Sequence, residues 1–407
     1  MKNKKYELII WGASGFTGQL VAEYLLQQYG IGKGLNWAIA GRNKNKLENI
    51  RAELGDENIP ILTADSLAPQ SINALVQQTN VICSTVGPYA KYGSSLVEAC
   101  VNNGVDYCDL TGEVQWIRRM IDQHHEHAKK KGVKIVHCCG FDSVPSDMGV
   151  YFLQKSAKEK YGNYCQHIKL RVKGAKGGPS GGTIASLNNV LEEAQQDPAV
   201  FDILENPYSL NPTGEQSGND LPDISKAVFD KDFKAWIGPF IMAAINTKVV
   251  RRSHALAGYP YGKDFRYDEA TFCGSGFSGK LKAQLLSSVT GIMSGGDPNS
   301  MLKKLANRFL PKPGEGPSKI QRETGYFNLA LLGKLNNGIT IKGKVKGDRD
   351  PGYGSTSKML GESAVCLAKD QLISPKIHGV ITPSTAMGDA LLTRLENNAG
   401  LTFEIVD

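Results

Sequence analysis

ELIIWGASGFTG, residues 7–18, joins a buried apolar strand to a glycine-spaced turn and the start of a helix. Gly12, Gly15 and Gly18 stand three apart, with Ala13, Ser14, Phe16 and Thr17 between them. A dinucleotide pyrophosphate needs a turn without side chains and helix N–H groups directed at the anion. Gly12 permits the tight turn, Gly15 the close approach of phosphate, and Gly18 the close packing of helix on strand. A glycine triplet alone is weak evidence, so its context decides the reading.

That context is regular. Apolar runs NWAIAGR (36–42), PILTAD (60–65), NVICSTVG (80–87), VDYCDL (105–110) and VKIVHCCG (133–140) alternate with helical patterns at 44–54, 68–78, 94–104 and 114–132. Strands alternating with helices at this spacing predict βαβ units, hence an α/β, Rossmann-type doubly wound parallel sheet over residues 1–147. Beyond Asp147 the texture changes. QHIKLRVKGA (166–175), TKVVRRSHAL (247–256), RYDEATFC (266–273), YFNLALLGKL (326–335) and GITIKGKVKG (338–347) read as longer strands, the last two joined by a hairpin at Leu335–Gly338. Helices are expected near 183–196, 280–292 and 357–369, with long loops at 206–225 and 293–319. This predicts a second, α+β domain with a mixed or antiparallel sheet at 148–356, and C-terminal helices at 357–407 that return to the first domain. The last helix, 383–400, lacks strand partners in this reading.

The second strand selects the coenzyme. An NAD enzyme places Asp or Glu at its end, whereas Ala40-Gly41-Arg42-Asn43-Lys44-Asn45-Lys46 offers cations for a 2′-phosphate, Arg42 first and Lys46 one turn on. NADP(H) is therefore the expected cofactor. Asp65, ending strand three, is a candidate for the adenine edge or equally a helix cap. After strand four, Val86, Gly87 and Pro88 are expected beneath ribose and nicotinamide, with Tyr89 pointing toward substrate. Gly140–Asp147, after strand six, marks the crossover, where substrate contacts such as Asp142 and Ser143 belong.

The 407 residues carry a net charge of +7, with 41% hydrophobic and 21% charged residues. Such a composition buries a core and excludes general disorder. Residues 1–150 hold 15 cations against 15 anions, so the entire excess lies in the remainder, which favours an anionic partner there. No zinc-finger, RNP-like or recognition-helix pattern supports nucleic acid. The longest uncharged apolar run, Ala235–Thr247 broken only by Asn246, is too short to span a bilayer, and MKNKKYELIIWG offers no signal peptide. Eight cysteines without a CxxC pair suit buried thiols in a reducing, cytoplasmic setting.

WGASGFTG, AGRN, STVGPYAKYG, YCDLTGE, CGFDSVPSD, VVRRSHAL and GVITPSTAMG cover nearly the whole chain in order. Together they resemble the saccharopine dehydrogenase-like NADP-binding family, closest to its branch of trans-acting enoyl reductases and saccharopine dehydrogenase-like oxidoreductases. The resemblance implies a Rossmann domain, an α+β substrate domain inserted after it, and a C-terminal helix returning to the first. It also implies complex-lipid metabolism or lipid surfaces, and supplies no catalytic residue.

Other motifs are weaker. Gly178-Pro-Ser180-Gly-Gly182 matches a hydrolase elbow but lacks the parallel-sheet setting, and Ser180–Thr183 reads better as a helix N-terminus for a substrate carboxylate. Gly274-Ser-Gly276-Phe-Ser-Gly279-Lys280 lacks a Walker Ser/Thr, since Leu281 follows. His124, His125 and His127 lack further ligands, so no metal is expected. Arg251 and Arg252 alternate on an expected strand, one facing the cleft to fix an anionic group.

The expected activity is hydride transfer between NADP(H) and an activated C=C, or less readily C=N, of a hydrophobic acyl or amino-acid-like small molecule. Tyr89 or Asp142 would supply the proton. The alternatives are a saccharopine-type amino-acid dehydrogenase and a non-enzymatic NADP-binding adaptor at a lipid surface. Peripheral lipid contact through AWIGPFIMAAI or LLSSVTGIM, and a homodimer, stay open.

Overall fold

The computed structural model describes residues 4–177, 181–294 and 316–406. The first half builds β1 (Tyr6–Trp11), α1 (Phe16–Tyr29), β2 (Trp37–Gly41), α2 (Lys44–Leu54), β3 (Ile61–Thr63), α3 (Pro69–Val76) and β4 (Thr79–Ser84). It continues with a short α4 (Tyr89–Tyr92), α5 (Ser94–Asn103), β5 (Asp106–Asp109), α6 (Val114–Lys131) and β6 (Lys134–Val136). These strands form one parallel sheet in the order β6-β5-β4-β1-β2-β3. Leu8, Ile9, Ile10, Ala38, Ile39, Val81 and Ile82 are fully buried. Continuous apolar strands of this kind are what helices on both faces of a parallel sheet require. The chain reverses its winding between β1 and β4, and ligands in such sheets bind outside the strand ends at that crevice.

A long helix, α7 (Val144–Tyr161), leads to a second seven-stranded sheet. Six of its members are β7 (His167–Lys176), β8 (Val228–Asp230), β9 (Ala235–Gly238), β10 (Arg266–Gly274), β11 (Tyr326–Lys334) and β12 (Thr340–Gly347), with α8 (Gly181–Gln196), α9 (Pro198–Glu205), α10 (Ala243–Leu256), α11 (Gly276–Ser294) and α12 (Lys319–Glu323) between them. The sheet is mixed: β7 and β10 run parallel, while β11 pairs antiparallel with β7 and β12. The hairpin at Leu335–Gly338 lies where expected, joining β11 to β12, with Gly338 at φ +82°.

One expected strand is a helix. Residues 247–256 belong to α10, and Val249, Val250, Arg251 and Arg252 are consecutively buried, which a strand with one solvated face does not permit. Thr247 and Ser253 instead return hydrogen bonds to carbonyls four residues back. The apolar run from Ala235 divides between β9 and the start of α10, with Ala235, Ile237, Ala243 and Ile245 in the core.

The last segment is more than a returning helix. After α13 (Thr356–Lys369) come β13 (Gly379–Ile381), α14 (Pro383–Asn397) and β14 (Leu401–Val406). β13 extends the first sheet beside β6, and β14 closes the edge of the second beside β12. Thus the final helix has strand partners on both sides. α13 packs against β4, β5 and α1, and Gly361 is required there, since a Cβ would lie 2.8 Å from Tyr24. The joint is buried and polar. Tyr24 and Tyr29 donate to Glu362 at 2.6 and 2.5 Å, and Arg394 pairs with both Glu362 and Asp370.

No helix among the described residues is long and apolar enough to cross a membrane. All eight cysteines are free thiols, seven of them buried.

Candidate active site

The phosphate turn is shaped as its spacing demands. Gly12 has φ +90°, and a Cβ there would lie 2.5 Å from Val86. A Cβ on Gly18 would approach the Gly12 carbonyl oxygen to 2.2 Å. Gly15 caps α1 without a side chain, and a Cβ on it would meet only Gly12 O, at 3.4 Å. The first turn of α1 contains no acid, so its N–H groups face an uncluttered, anion-ready surface. Thr85 donates to the carbonyls of Trp11 and Gly12 at 3.2 Å, fastening β4 to the turn.

At the end of β2, a Cβ on Gly41 would lie 3.5 Å from Ser14 Oγ, so the two loops adjoin. Arg42 and Lys46 follow, both exposed, and no ion pair engages either among the described residues. Asn43 caps α2 by accepting from Lys46 N at 3.0 Å. Asp65 accepts from Leu67 N at 3.0 Å and its own N–H donates to Ser71. It is therefore a turn residue, and Ala68 occupies the cap of α3.

Two expected substrate contacts are turned away from the crevice. Tyr89 is buried, stacked on Trp116 with ring centroids 5.5 Å apart, and its hydroxyl donates to Ser84 O at 3.1 Å. Burial holds its phenol well above the usual range. Ser143 is fully buried and donates to Asn246 at 3.1 Å. The two arginines form structural joints. Arg251 pairs with Asp220 and donates to the carbonyls of Pro207 and Tyr267, while Arg252 donates to the carbonyls of Leu210 and Val380. With both guanidiniums buried and engaged, neither serves as an anion handle at the surface of the cleft. Ser180 lies outside the described residues, as does the side chain of Thr183.

Asp142 lies beyond the carboxyl end of β6. It is half-buried, with Oδ2 3.9 Å from the Cβ position of Gly112, which also faces Ile245 of α10. No hydrogen bond to its carboxylate occurs among the described residues, and burial pushes its pKa up to about 6. Behind it, Asn246 donates to Ser146 and Glu269, and Tyr267 donates to Glu269 at 2.6 Å.

Glu113 was not singled out from sequence. Its carboxylate accepts from the N–H groups of Tyr89 and Ala90 at 2.8 and 3.0 Å and from Ser186 Oγ at 2.8 Å. One buried side chain thus holds the Gly87–Pro88 loop and binds it to α8 of the second domain. Burial raises its pKa. The YCDLTGE segment contained this signal: a carboxylate four residues beyond β5 sits at the ligand-binding edge. Asp109 and His137 were also missed. His137 Nδ1 lies 2.8 Å from Asp109, and its Nε2 is buried without a partner among the described residues.

The profile of the saccharopine dehydrogenase NADP-binding domain matches residues 8–136. A Mycobacterium tuberculosis chain is 39% identical over 411 aligned residues, 96% of each protein. Trans-acting enoyl reductases of Mycobacterium ulcerans and Mycobacterium bovis are 35% and 34% identical, again over 96% of each chain. The chain belongs to the saccharopine dehydrogenase-like family, among its trans-acting enoyl reductases. Apo saccharopine dehydrogenase (L-Glu forming) of Saccharomyces cerevisiae shares the fold, with a TM-score of 0.52 and 11% identity over 99% of this chain and 100% of that one. The family makes it an NADP-dependent oxidoreductase, and the close-packed glycines of the turn at Gly12, Gly15 and Gly18 fit that coenzyme.

Proposed function

We propose that this oxidoreductase reduces the activated C=C bond of a hydrophobic acyl substrate with NADPH, with Asp142 as the proton donor. Asp142 carries the reading, because it is the acid beyond the carboxyl end of β6 that has no polar partner among the described residues and a pKa lifted to about 6. The name borne by the mycobacterial relatives supports the enoyl substrate class. Gly12–Gly18 would hold the pyrophosphate, with Arg42 and Lys46 on the 2′-phosphate and Val86–Pro88 under the nicotinamide. NADPH, when bound, supplies a hydride to the β-carbon. The π pair moves onto the α-carbon and carbonyl, and Asp142 passes its proton to the α-carbon. Ile245, 3.9 Å from the Cβ position of Gly112, would help exclude water from this step.

The test is NADPH oxidation by the purified chain, offered an enoyl thioester or, separately, glutamate with an aldehyde. Turnover on the enoyl thioester supports the reading. Turnover only with glutamate and aldehyde replaces it with the saccharopine-type reaction.

A second reading, peripheral lipid contact, is favoured by α11. Phe277, Leu281, Leu285 and Val289 recur every four residues and are 81, 58, 65 and 46% exposed. Lys280 and Lys282 accompany them, and the helix contains no acid, which complements an anionic bilayer. Co-sedimentation with phosphatidylglycerol vesicles but not phosphatidylcholine vesicles is expected, and Leu281→Glu with Leu285→Glu should abolish it.

A further inference from the structure

A second basic cleft lies on the flank of α1, away from the phosphate turn. Its volume is about 140 Å³, room for roughly four or five waters at ~30 Å³ each, or one to two phosphate groups. One wall is α1 from Leu20 to Gln27; the other is α12 together with residues 349–358. Four cations line it: Lys319, Arg322, Arg349 and Lys358. Two acids also face it, Glu23 and Glu323.

The pairing leaves positive charge over. Arg349 lies 3.9 Å from Glu323, and Lys358 lies 3.3 Å from Asp348 outside the cleft. Arg322 donates to the Pro317 carbonyl at 2.7 Å and covers the Phe16 ring at 5.4 Å. These contacts fix its guanidinium without neutralising it. Lys319 makes no ion pair among the described residues. Gly354 and Ser357 complete the lining, and the Gly354 N–H is already held by the Asp350 carboxylate at 3.1 Å. Cations converging on an open cleft between two walls, with Lys319 and Arg322 left without a carboxylate partner among the described residues, are the elements of a phosphate site.

We propose that this cleft binds a phosphate-bearing ligand, separately from the coenzyme, and that the ligand bridges the nucleotide domain to the second domain. The walls require the bridging, since α1 belongs to the first and residues 319–358 to the second. Separation from the coenzyme follows from distance. On α1 the lining runs from Leu20, about 7.5 Å along the helix beyond Gly15, to Gln27, about 18 Å beyond it at ~1.5 Å per residue.

The probe is inorganic pyrophosphate, titrated by calorimetry into the full chain already saturated with NADPH. Binding at one site per chain is expected. In Lys319→Gln with Arg349→Gln, affinity should fall at least about tenfold, the loss of ~1.4 kcal/mol or more of charge-assisted bonding. Both side chains are at the surface, so NADPH affinity and melting temperature should stay at the wild-type values, which separates lost binding from lost folding. Arg42→Gln should leave pyrophosphate binding intact. The proposal is overturned if NADPH saturation eliminates pyrophosphate binding, if the double variant binds as wild type, or if no heat is seen up to about 1 mM.

Discussion

Glu113 and Ser186 meet at 2.8 Å across the domain junction, and the same carboxylate holds two main-chain N–H groups of the β4 loop. The loop after β4 and the second domain therefore share one anchor. Glu113→Gln replaces a charged acceptor with a neutral one and presents an amide to donors, costing ~2–3 kcal/mol. Ser186→Ala removes a single bond at ~1 kcal/mol. Thermal unfolding should order the variants accordingly, and NADPH affinity should fall more in Glu113→Gln than in Ser186→Ala. Equal, wild-type NADPH affinity in both would show that the anchor does not position the loop.

Arg42 stands exposed beside the Ser14 turn, where a 2′-phosphate would reach it. Arg42→Ala should weaken NADPH binding by ~10–100-fold, the worth of charge-assisted hydrogen bonds, and change NADH binding by less than about twofold. Fluorescence titration with each nucleotide measures this directly. Parallel losses for both coenzymes would refute the assignment.

The Asp142 carboxyl, with its pKa pushed up to about 6, is increasingly deprotonated above that pH. If it donates the proton, turnover falls as pH rises through about 6. Asp142→Asn should lower kcat by ~100-fold and flatten that limb of the pH profile. An unchanged profile in the variant would assign the limb to another group.

Glu269 is buried, and burial pushes its pKa up to about 7 from an ordinary 4.5. The folded chain thus binds this proton more tightly than the unfolded chain. Its stabilising contribution is complete below about 4.5 and is lost as pH rises through about 7, a change of ~3 kcal/mol. Glu269→Gln removes that dependence. Comparing melting temperatures at about pH 5 and pH 8, the variant should gain on wild type at the higher pH. A constant difference would refute the shift.

Gly18→Ala forces a Cβ to within 2.2 Å of the Gly12 carbonyl, so the helix must leave the strand. Loss of NADPH binding with a lowered melting temperature is expected, measured on one sample by calorimetry and thermal unfolding.

The first sheet was legible because its strands are buried on both faces and punctuated by glycine turns, so continuous apolar runs suffice to find them. α10 was misread because buried cations in VVRRSHAL imitate an alternating strand. Asp220 and the carbonyls of Pro207, Leu210, Tyr267 and Val380, distant in sequence, explain how Arg251 and Arg252 are buried. β13 is as short as β3 and β6, but those stand in the regular strand–helix alternation and β13 lies outside it. Tyr89 failed for a related reason: position after a strand places a residue at the crevice edge, but its rotamer depends on Trp116. Glu113 was hidden because its donors, the N–H groups of Tyr89 and Ala90 and the hydroxyl of Ser186, converge only in the folded chain.

The strands at 379–381 and 401–406 each complete a different sheet. During synthesis, then, a chain extended only to residue 378 would hold two unfinished sheets, with β6 and β12 each open along one edge. The coenzyme crevice would already be encoded in full, yet the scaffold behind it would be unsealed. Residues 379–406 therefore seal one edge of each sheet, tying the closure of the two domains to a single stretch of chain.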